Sequence, residues 1–245
     1  MVARSGAEPV NEPQAVIEHP TQRRRRAAVF QSFVLIASAA FIALAVAAHF
    51  APYFPIDLVV TRAVQSQQSP GLDVVMRLVS WIGFIPQVDL FVVATIIGLY
   101  VAGLRWEAMA AAFAALGDLL GVLIKLAVYR PRPAENIVHV VSKLDTYSFP
   151  SGHVLLATAY CGFLAFLAYT LLKPSWIRTG ILVSAGVLIA LMGPSRIYLG
   201  HHWFSDVMGA YVFGSLWLAL TIRFYRWGKP RFFRTQPVAS ESAKG

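Results

Sequence analysis

Residues 29–50 read VFQSFVLIASAAFIALAVAAHF. Twenty-two positions pass without a Lys, Arg, Asp or Glu. A bilayer core takes about 20 mostly apolar residues of helix. Five further stretches share this character: Val88–Leu104 with Asp89 at its edge, Trp106–Val128 containing Asp118, Val154–Leu172, Trp176–Met192 and Trp203–Ile222. Trp106, Trp176 and Trp203 each open a span, and Trp227 lies just past the last. Indole rings favour the headgroup level. Prolines 131, 133, 174 and 194 punctuate the connections. The chain reads as an all-α, polytopic membrane protein with six transmembrane helices. Composition agrees: 57% of the 245 residues are hydrophobic and 13% are charged. Soluble domains carry about 25% charged residues.

The net charge of +9 lies mostly at the ends. Arg23–Arg26 precede the first span, and Arg223, Arg226, Lys229, Arg231 and Arg234 follow the last. Nucleic-acid binding would want basic residues interleaved with stacking aromatics on a folded surface. Basic clusters flanking apolar spans instead set topology. With the N-terminus inside, inner segments hold 14 of the 21 Lys and Arg, outer segments hold 6, and Lys125 lies within a span. Both termini are therefore expected in the cytoplasm, on the inner (plasma) membrane. The expected division is a disordered cytoplasmic tail over 1–28, a six-helix domain over 29–226 and a basic cytoplasmic tail over 227–245. The first apolar run exceeds the 7–15 residues or so of a signal-peptide core, so it reads as a retained span. Cys161 is the single cysteine, which rules out an internal disulfide and a cysteine-based zinc site. Residues 51–85 are too polar and proline-broken to span. Leu72, Val75, Met76, Val79 and Ile82 recur there at helical spacing, as in a helix lying at the outer interface or packed on the bundle.

Polar residues near membrane depth need a reason. His202 and Asp206 are four apart, a spacing that shares one helix face, whereas His201 points elsewhere. A carboxylate beside an imidazole fixes its tautomer and frees the other nitrogen as a nucleophile. The pair also suits a structural role capping the last helix. Phe149-Pro150-Ser151-Gly152-His153 opens the fourth span, with Ser151 as an N-cap and Gly152 allowing close backbone approach. A helix start is an anion site. Lys125, Arg132 and Arg196 come to the same side from three places and suit phosphate. Arg130 is expected to meet lipid headgroups instead. Asp118, seven residues before Lys125, is too far along the helix for direct pairing and reads as an acid hydrogen-bonded between helices. These parts suit phosphoryl transfer without a metal, because three cations would repel one.

The same residues resemble the type 2 phosphatidic acid phosphatase superfamily. Its first signature, Lys, six residues, Arg-Pro, is met by Lys125 through Arg132-Pro133. Its second, Pro-Ser-Gly-His, is Pro150–His153. Its third, Ser-Arg, five residues, His, three residues, Asp, is Ser195-Arg196, His202 and Asp206. The six-span layout is similar to the integral-membrane branch. The resemblance implies that His202 attacks phosphorus and becomes a phosphohistidine, oriented by Asp206. It implies that His153 serves as acid, then base, and that Lys125, Arg132, Ser151, Gly152 and Arg196 hold the phosphate. It further implies no metal or other cofactor, a site facing the periplasm or exterior, and a lipid phosphate as substrate and partner. Phosphatidate, phosphatidylglycerophosphate, undecaprenyl pyrophosphate and lipid A phosphates all remain open. Lipid-to-lipid phosphotransfer is the main alternative. A vanadate-dependent haloperoxidase relative and an anion-binding transporter fit the six spans and the histidine pair less well.

Overall fold

The computed structural model describes residues 20–232, apart from 68 and 85. All regular structure among them is helical: α1 (Pro20–Phe50), α2 (Pro55–Gln65), α3 (Pro70–Trp81), α4 (Gln87–Val101), α5 (Arg105–Val128), α6 (Gly152–Leu156), α7 (Gly162–Leu171), α8 (Trp176–Tyr198) and α9 (Phe204–Phe232). A π-helical turn, Ala157–Cys161, joins α6 to α7. The chain divides into two units, residues 1–36 and residues 37–245. The described part of the first is the opening of α1. The second holds everything that follows.

Five helices are long and apolar enough to cross a membrane: Arg24–Phe50, Arg105–Val128, Gly152–Leu171, Trp176–Tyr198 and Phe204–Phe232. The expected second span appears as α4, an apolar helix of 15 residues, shorter than the others. The tail boundaries also differ from expectation. Residues 20–28 belong to α1, because Pro20 starts a helix and the Arg and Ala residues behind it are good helix formers. At the other end α9 runs to Phe232. Gly228 is seated against the Trp106 ring, and Lys229 reaches the buried Glu107, which also accepts from the Tyr225 hydroxyl at 2.9 Å. Residues 1–19 and 233–245 of the expected tails lie outside the described residues.

Helix α5 shows how the bundle is built. Ala110, Ala111, Ala114, Gly117 and Gly121 are buried, and Leu116, Leu119, Leu123 and Leu126 are about half exposed. The small residues point inward. Trp217 fills the space a side chain on Gly117 would take, and Leu155 does the same at Gly121. Hydrocarbon offers leucine no reason to leave it, so membrane helices pack through small residues that let backbones approach. The outward leucine stripe fits that solvent. Trp106, Tyr160, Phe163, Leu167 and Tyr225 fill one end of the interior, and Val154, Leu155, Met192, Ile197 and Val207 fill the other.

Residues 51–85 form two short helices. Pro55 and Pro70 each sit at a first-turn position, and Ser69 caps α3 by accepting from the Leu72 N–H at 3.3 Å. Of the expected amphipathic set, Met76 is buried against Tyr198 and Leu199, and Leu72 and Val79 pack on the same side. Val75 and Ile82 stand exposed with Leu78 and Trp81. The segment is thus packed on the bundle by one face, and this contact brings it to the site.

Candidate active site

The C-terminal ends of α5 and α8 and the N-terminal ends of α6 and α9 converge. That convergence brings Lys125, Ser151, His153, Arg196 and Asp206 together, with His202 in the turn before α9 and Arg132 in the loop after α5. The turn before α9 is held by the Arg196 carbonyl, which accepts from the His201 and His202 N–H groups at 3.0 and 3.3 Å. Gly200 makes the turn possible. Its φ is +68°, and any side chain there would collide with the His139 carbonyl.

His202 and Asp206 meet, but not on a helix face. Helix α9 begins at Phe204, so His202 precedes it. Asp206 folds back instead: its Oδ2 accepts the Trp203 N–H at 2.8 Å, closing the turn, and faces His202 Nδ1 at 3.7 Å. Ser148 Oγ donates to the same Oδ2 at 2.5 Å and lies 3.5 Å from His202 Nδ1. On the other side of the ring, Arg132 Nη1 lies 3.2 Å from His202 Nε2. A guanidinium N–H can only donate, so Nε2 must be the accepting nitrogen and Nδ1 carries the hydrogen, directed at Asp206. The lone pair therefore points into the cationic side of the site.

The cations differ in what neutralises them. Lys125 Nζ donates to the Tyr147 and Ser148 carbonyls at 3.3 and 3.4 Å and closely to the Pro150 carbonyl. Arg132 donates to Thr146 O and Oγ1 at 2.7 Å each and to the His201 carbonyl at 2.6 Å. Arg196 is fully buried, donates to Ser80 Oγ and lies over the Phe84 ring at 5.2 Å. Among the described residues none of the three bonds to a carboxylate. Arg130 does the opposite. It is fully buried and bonded to both Asp57 and Asp206. This corrects its expected place at the lipid headgroups: helix α2 closes over it, and its charge is spent inside the protein.

Three of the buried polar atoms without a protein partner are Ser151 Oγ, His153 Nε2 and Arg196 Nε. Ser151 occupies the N-cap position of α6, yet its side chain makes no capping bond. Its expected capping role is therefore not what the hydroxyl does. Gly152 has no close neighbour where a Cβ would stand; Asp118 Oδ1 at 3.5 Å is the nearest. A ligand can thus approach its backbone. Lys125 is bonded to carbonyls and not to Asp118, and Asp118 has no hydrogen bond among the described residues. The sequence-based expectation of an acid bonded between helices is not realised.

The loop between α3 and α4 closes the remaining side. Phe84 packs edge-on to His153 at 4.8 Å and to His201 at 6.2 Å. Gly83 lies so close to the His153 ring that a Cβ would overlap it. Ser80, Gly83, Phe84, Asp57, Ser148 and Arg130 all touch the site, and no motif in the sequence singles them out. Beside Arg132 and His201 a cavity of about 490 Å³ is lined by Asn136, Ser142, Lys143 and Asp145.

Burial, reinforced by the charges of Arg132, Lys125 and Arg196, holds the His202 imidazole well below its usual range. Burial, with Arg196 and Arg132, pulls His201 down to about 3. Burial also lowers Arg132, to about 10, against the opposing charge of Asp206, which leaves it cationic at neutral pH. Both rings stay neutral in the folded protein, whereas the unfolded chain protonates them near pH 6.5. Their contribution to stability is therefore full above pH 6.5 and lost as pH falls below it. Thermal unfolding in detergent should show Tm falling between pH 6.5 and 4. His201→Gln should flatten that fall. An unchanged slope in the variant would contradict the assignment.

The chain matches the PAP2 superfamily over residues 106–230. It is 30% identical over 179 residues to phosphatidylglycerophosphatase B of Bacillus subtilis (strain 168), covering 72% of this chain and 86% of that one. Among solved structures it resembles a transmembrane PAP2-type phosphatidylglycerolphosphate phosphatase from Bacillus subtilis. That match has a TM-score of 0.68 and 26% identity, over 82% of this chain and 98% of that one. Aquifex aeolicus LpxE shares the fold, with a TM-score of 0.54 and 20% identity over 69% of this chain and 96% of that one. The chain belongs to the PAP2 superfamily, in its integral-membrane lipid phosphatase branch.

Proposed function

We propose that this protein hydrolyses a lipid phosphate through a phosphohistidine on His202. The observation that carries the reading is the group of three cations without carboxylate partners, gathered around a neutral histidine whose lone pair faces them. A phosphate oxyanion satisfies Arg196 Nε, Ser151 Oγ and the Gly152 N–H together. His202 Nε2 attacks phosphorus, the N–P bond forms and the bond to the leaving oxygen breaks. His153, whose Nε2 is unpartnered, donates the proton that the leaving oxygen takes. It then takes a proton from water as water displaces His202 and releases phosphate. Asp206, facing Nδ1, offsets the positive charge of the phosphohistidine. The donor set does not suit a divalent ion, since the one carboxylate at His202 is already bonded to Arg130.

The membrane reading follows the same geometry. With α4 counted as a short sixth span, α5 and α8 run outward and the α6–α7 rod and α9 run inward. The four ends that build the site then share the outer surface, and both termini lie in the cytoplasm. Helix α4 packs Val92, Ile96 and Leu99 against the core and leaves Leu90, Val93, Ile97 and Val101 exposed, which suits a crossing with one face toward lipid. Phosphatidylglycerophosphate heads the candidate substrates because the 30% identical relative carries that activity in its name. The cavity beside Arg132 gives a polar leaving group room on the water side.

Purified protein in detergent and excess EDTA should release phosphate from phosphatidylglycerophosphate, phosphatidate or undecaprenyl pyrophosphate, with a soluble phosphomonoester as comparison. Activity should persist within about twofold of the EDTA-free rate, because the oxyanion is stabilised by the arginines and N–H groups. Loss of activity on chelation, restored by a metal, would overturn the metal-free mechanism. No release from any lipid alone, but transfer to an added acceptor lipid, would favour the phosphotransferase.

A further inference from the structure

Asp57 is fully buried and lies on α2, far in sequence from every motif residue. Its carboxylate accepts four hydrogen bonds: from Phe54 N at 2.8 Å, Arg130 Nη2 at 2.9 Å, Ser205 N at 2.8 Å and Ser205 Oγ at 2.9 Å. Arg130 is used up in the same way. Its Nη1 donates to Asp206 Oδ1 at 2.6 Å and Ser205 Oγ at 2.7 Å, its Nε donates to Ala51 O at 3.2 Å, and its Cζ lies 4.7 Å from the centre of the Phe54 ring. We propose that Arg130 and Asp57 are positioning residues for the reaction, a buried guanidinium–carboxylate pair that holds Asp206 at the angle from which it steers His202. The inference rests on the His202 mechanism proposed above.

The two oxygens of Asp206 divide the work. Oδ2 closes the turn and faces His202. Oδ1 is held by Arg130 alone among the described residues. Without Arg130 the carboxylate is free to rotate, and a buried oxygen loses its partner. Asp57 has a second task. A guanidinium bonded to Asp206 and to nothing else charged would cancel the charge that Asp206 must offer to a phosphohistidine. Shared with Asp57, it leaves the trio at a formal charge of −1. That becomes zero when His202 gains its positive charge. The arrangement therefore favours the intermediate over the resting site, which is the condition for raising kcat rather than binding.

A positioning role and a purely structural one give different results in a double-mutant cycle. The variants are Arg130→Gln, Asp206→Asn and both together, scored by phosphate release, by KM, by inhibition with inorganic phosphate and by Tm. Arg130→Gln should lower kcat about 100-fold, in the range seen when a group orienting an active residue is lost. KM and phosphate inhibition should move by less than about threefold, because Lys125, Arg132 and Arg196 are untouched. Asp206→Asn should cost about 10³-fold or more. The double variant should be within about threefold of Asp206→Asn, since groups acting as one unit are not additive. Arg130→Lys should recover part of the loss. Should Arg130→Gln fail to fold, Asp57→Asn crossed with Asp206→Asn asks the same question, with an expected single loss of about tenfold in kcat. Losses that multiply, or a raised KM at unchanged kcat, would overturn the inference while leaving the phosphatase reading intact. A wild-type protein without His202-dependent release would overturn that reading first, and this inference with it.

Discussion

Replacing His202 by alanine is expected to lower kcat for phosphate release by about 10⁵-fold or more, the scale seen when a covalent nucleophile is removed. Its neighbour gives the control. His201 Nε2 is tied to Ser142 Oγ at 2.9 Å, and the Asp206 carboxylate faces His202 Nδ1 instead, so His201 lacks the orienting acid that His202 has. His201→Ala should stay within about tenfold of wild type, the scale of a lost neighbouring contact rather than a lost nucleophile. The phosphate cradle does not need the imidazole. His202→Ala should therefore still be stabilised thermally by inorganic phosphate, as expected of any ligand that binds only the folded state. Brisk release by His202→Ala would end the phosphohistidine mechanism. Loss of both release and phosphate stabilisation would mean that the ring is needed to form the cradle itself.

Five of the six expected spans were legible because hydrocarbon demands long apolar runs, and α5 shows both of its stripes in the order of its letters. The convergence of Lys125, Arg132, Ser151, His153, Arg196, His202 and Asp206 was legible through three spaced motifs. What lay between them was not. Arg130 stands two residues before Arg132, and local sequence makes both of them loop arginines. One is neutralised by two carboxylates and the other by none, and the difference comes from Asp57 on α2 and Asp206 on α9, both distant in sequence, arriving beside the loop. Nothing near Arg130 encodes that arrival. Gly83 is similar. It reads as a turn glycine in a polar segment, and its closeness to His153 follows from how α3 packs on α8. The four-residue spacing of His202 and Asp206 pointed to the right pair through the wrong geometry, because a side chain folding back over a helix start gives the same separation as a helix face.

The contrast between the two buried arginines reaches stability as well as catalysis. Arg196→Met should lower kcat/KM by about 10³-fold, the scale of losing a main oxyanion donor. The same change should raise the stability of the protein. A guanidinium buried at 0% exposure, bonded to one serine hydroxyl and set over one ring, has lost most of its hydration for little return. Replacing such a charge with an apolar side chain of similar length should stabilise the fold by about 1–3 kcal/mol. Ser80 then loses its acceptor role, at a cost of about 1 kcal/mol, so adding Ser80→Ala should raise Tm further. Arg130→Met must go the other way, since it strands Asp57 and Asp206 as buried carboxylates and should cost about 3–5 kcal/mol. Thermal unfolding of the two methionine variants, with and without inorganic phosphate, separates the roles by sign. If Arg196→Met also lowers Tm without ligand, Arg196 belongs to the framework. If it raises Tm and removes the stabilisation by phosphate, the instability of that buried charge is what the anion relieves on binding.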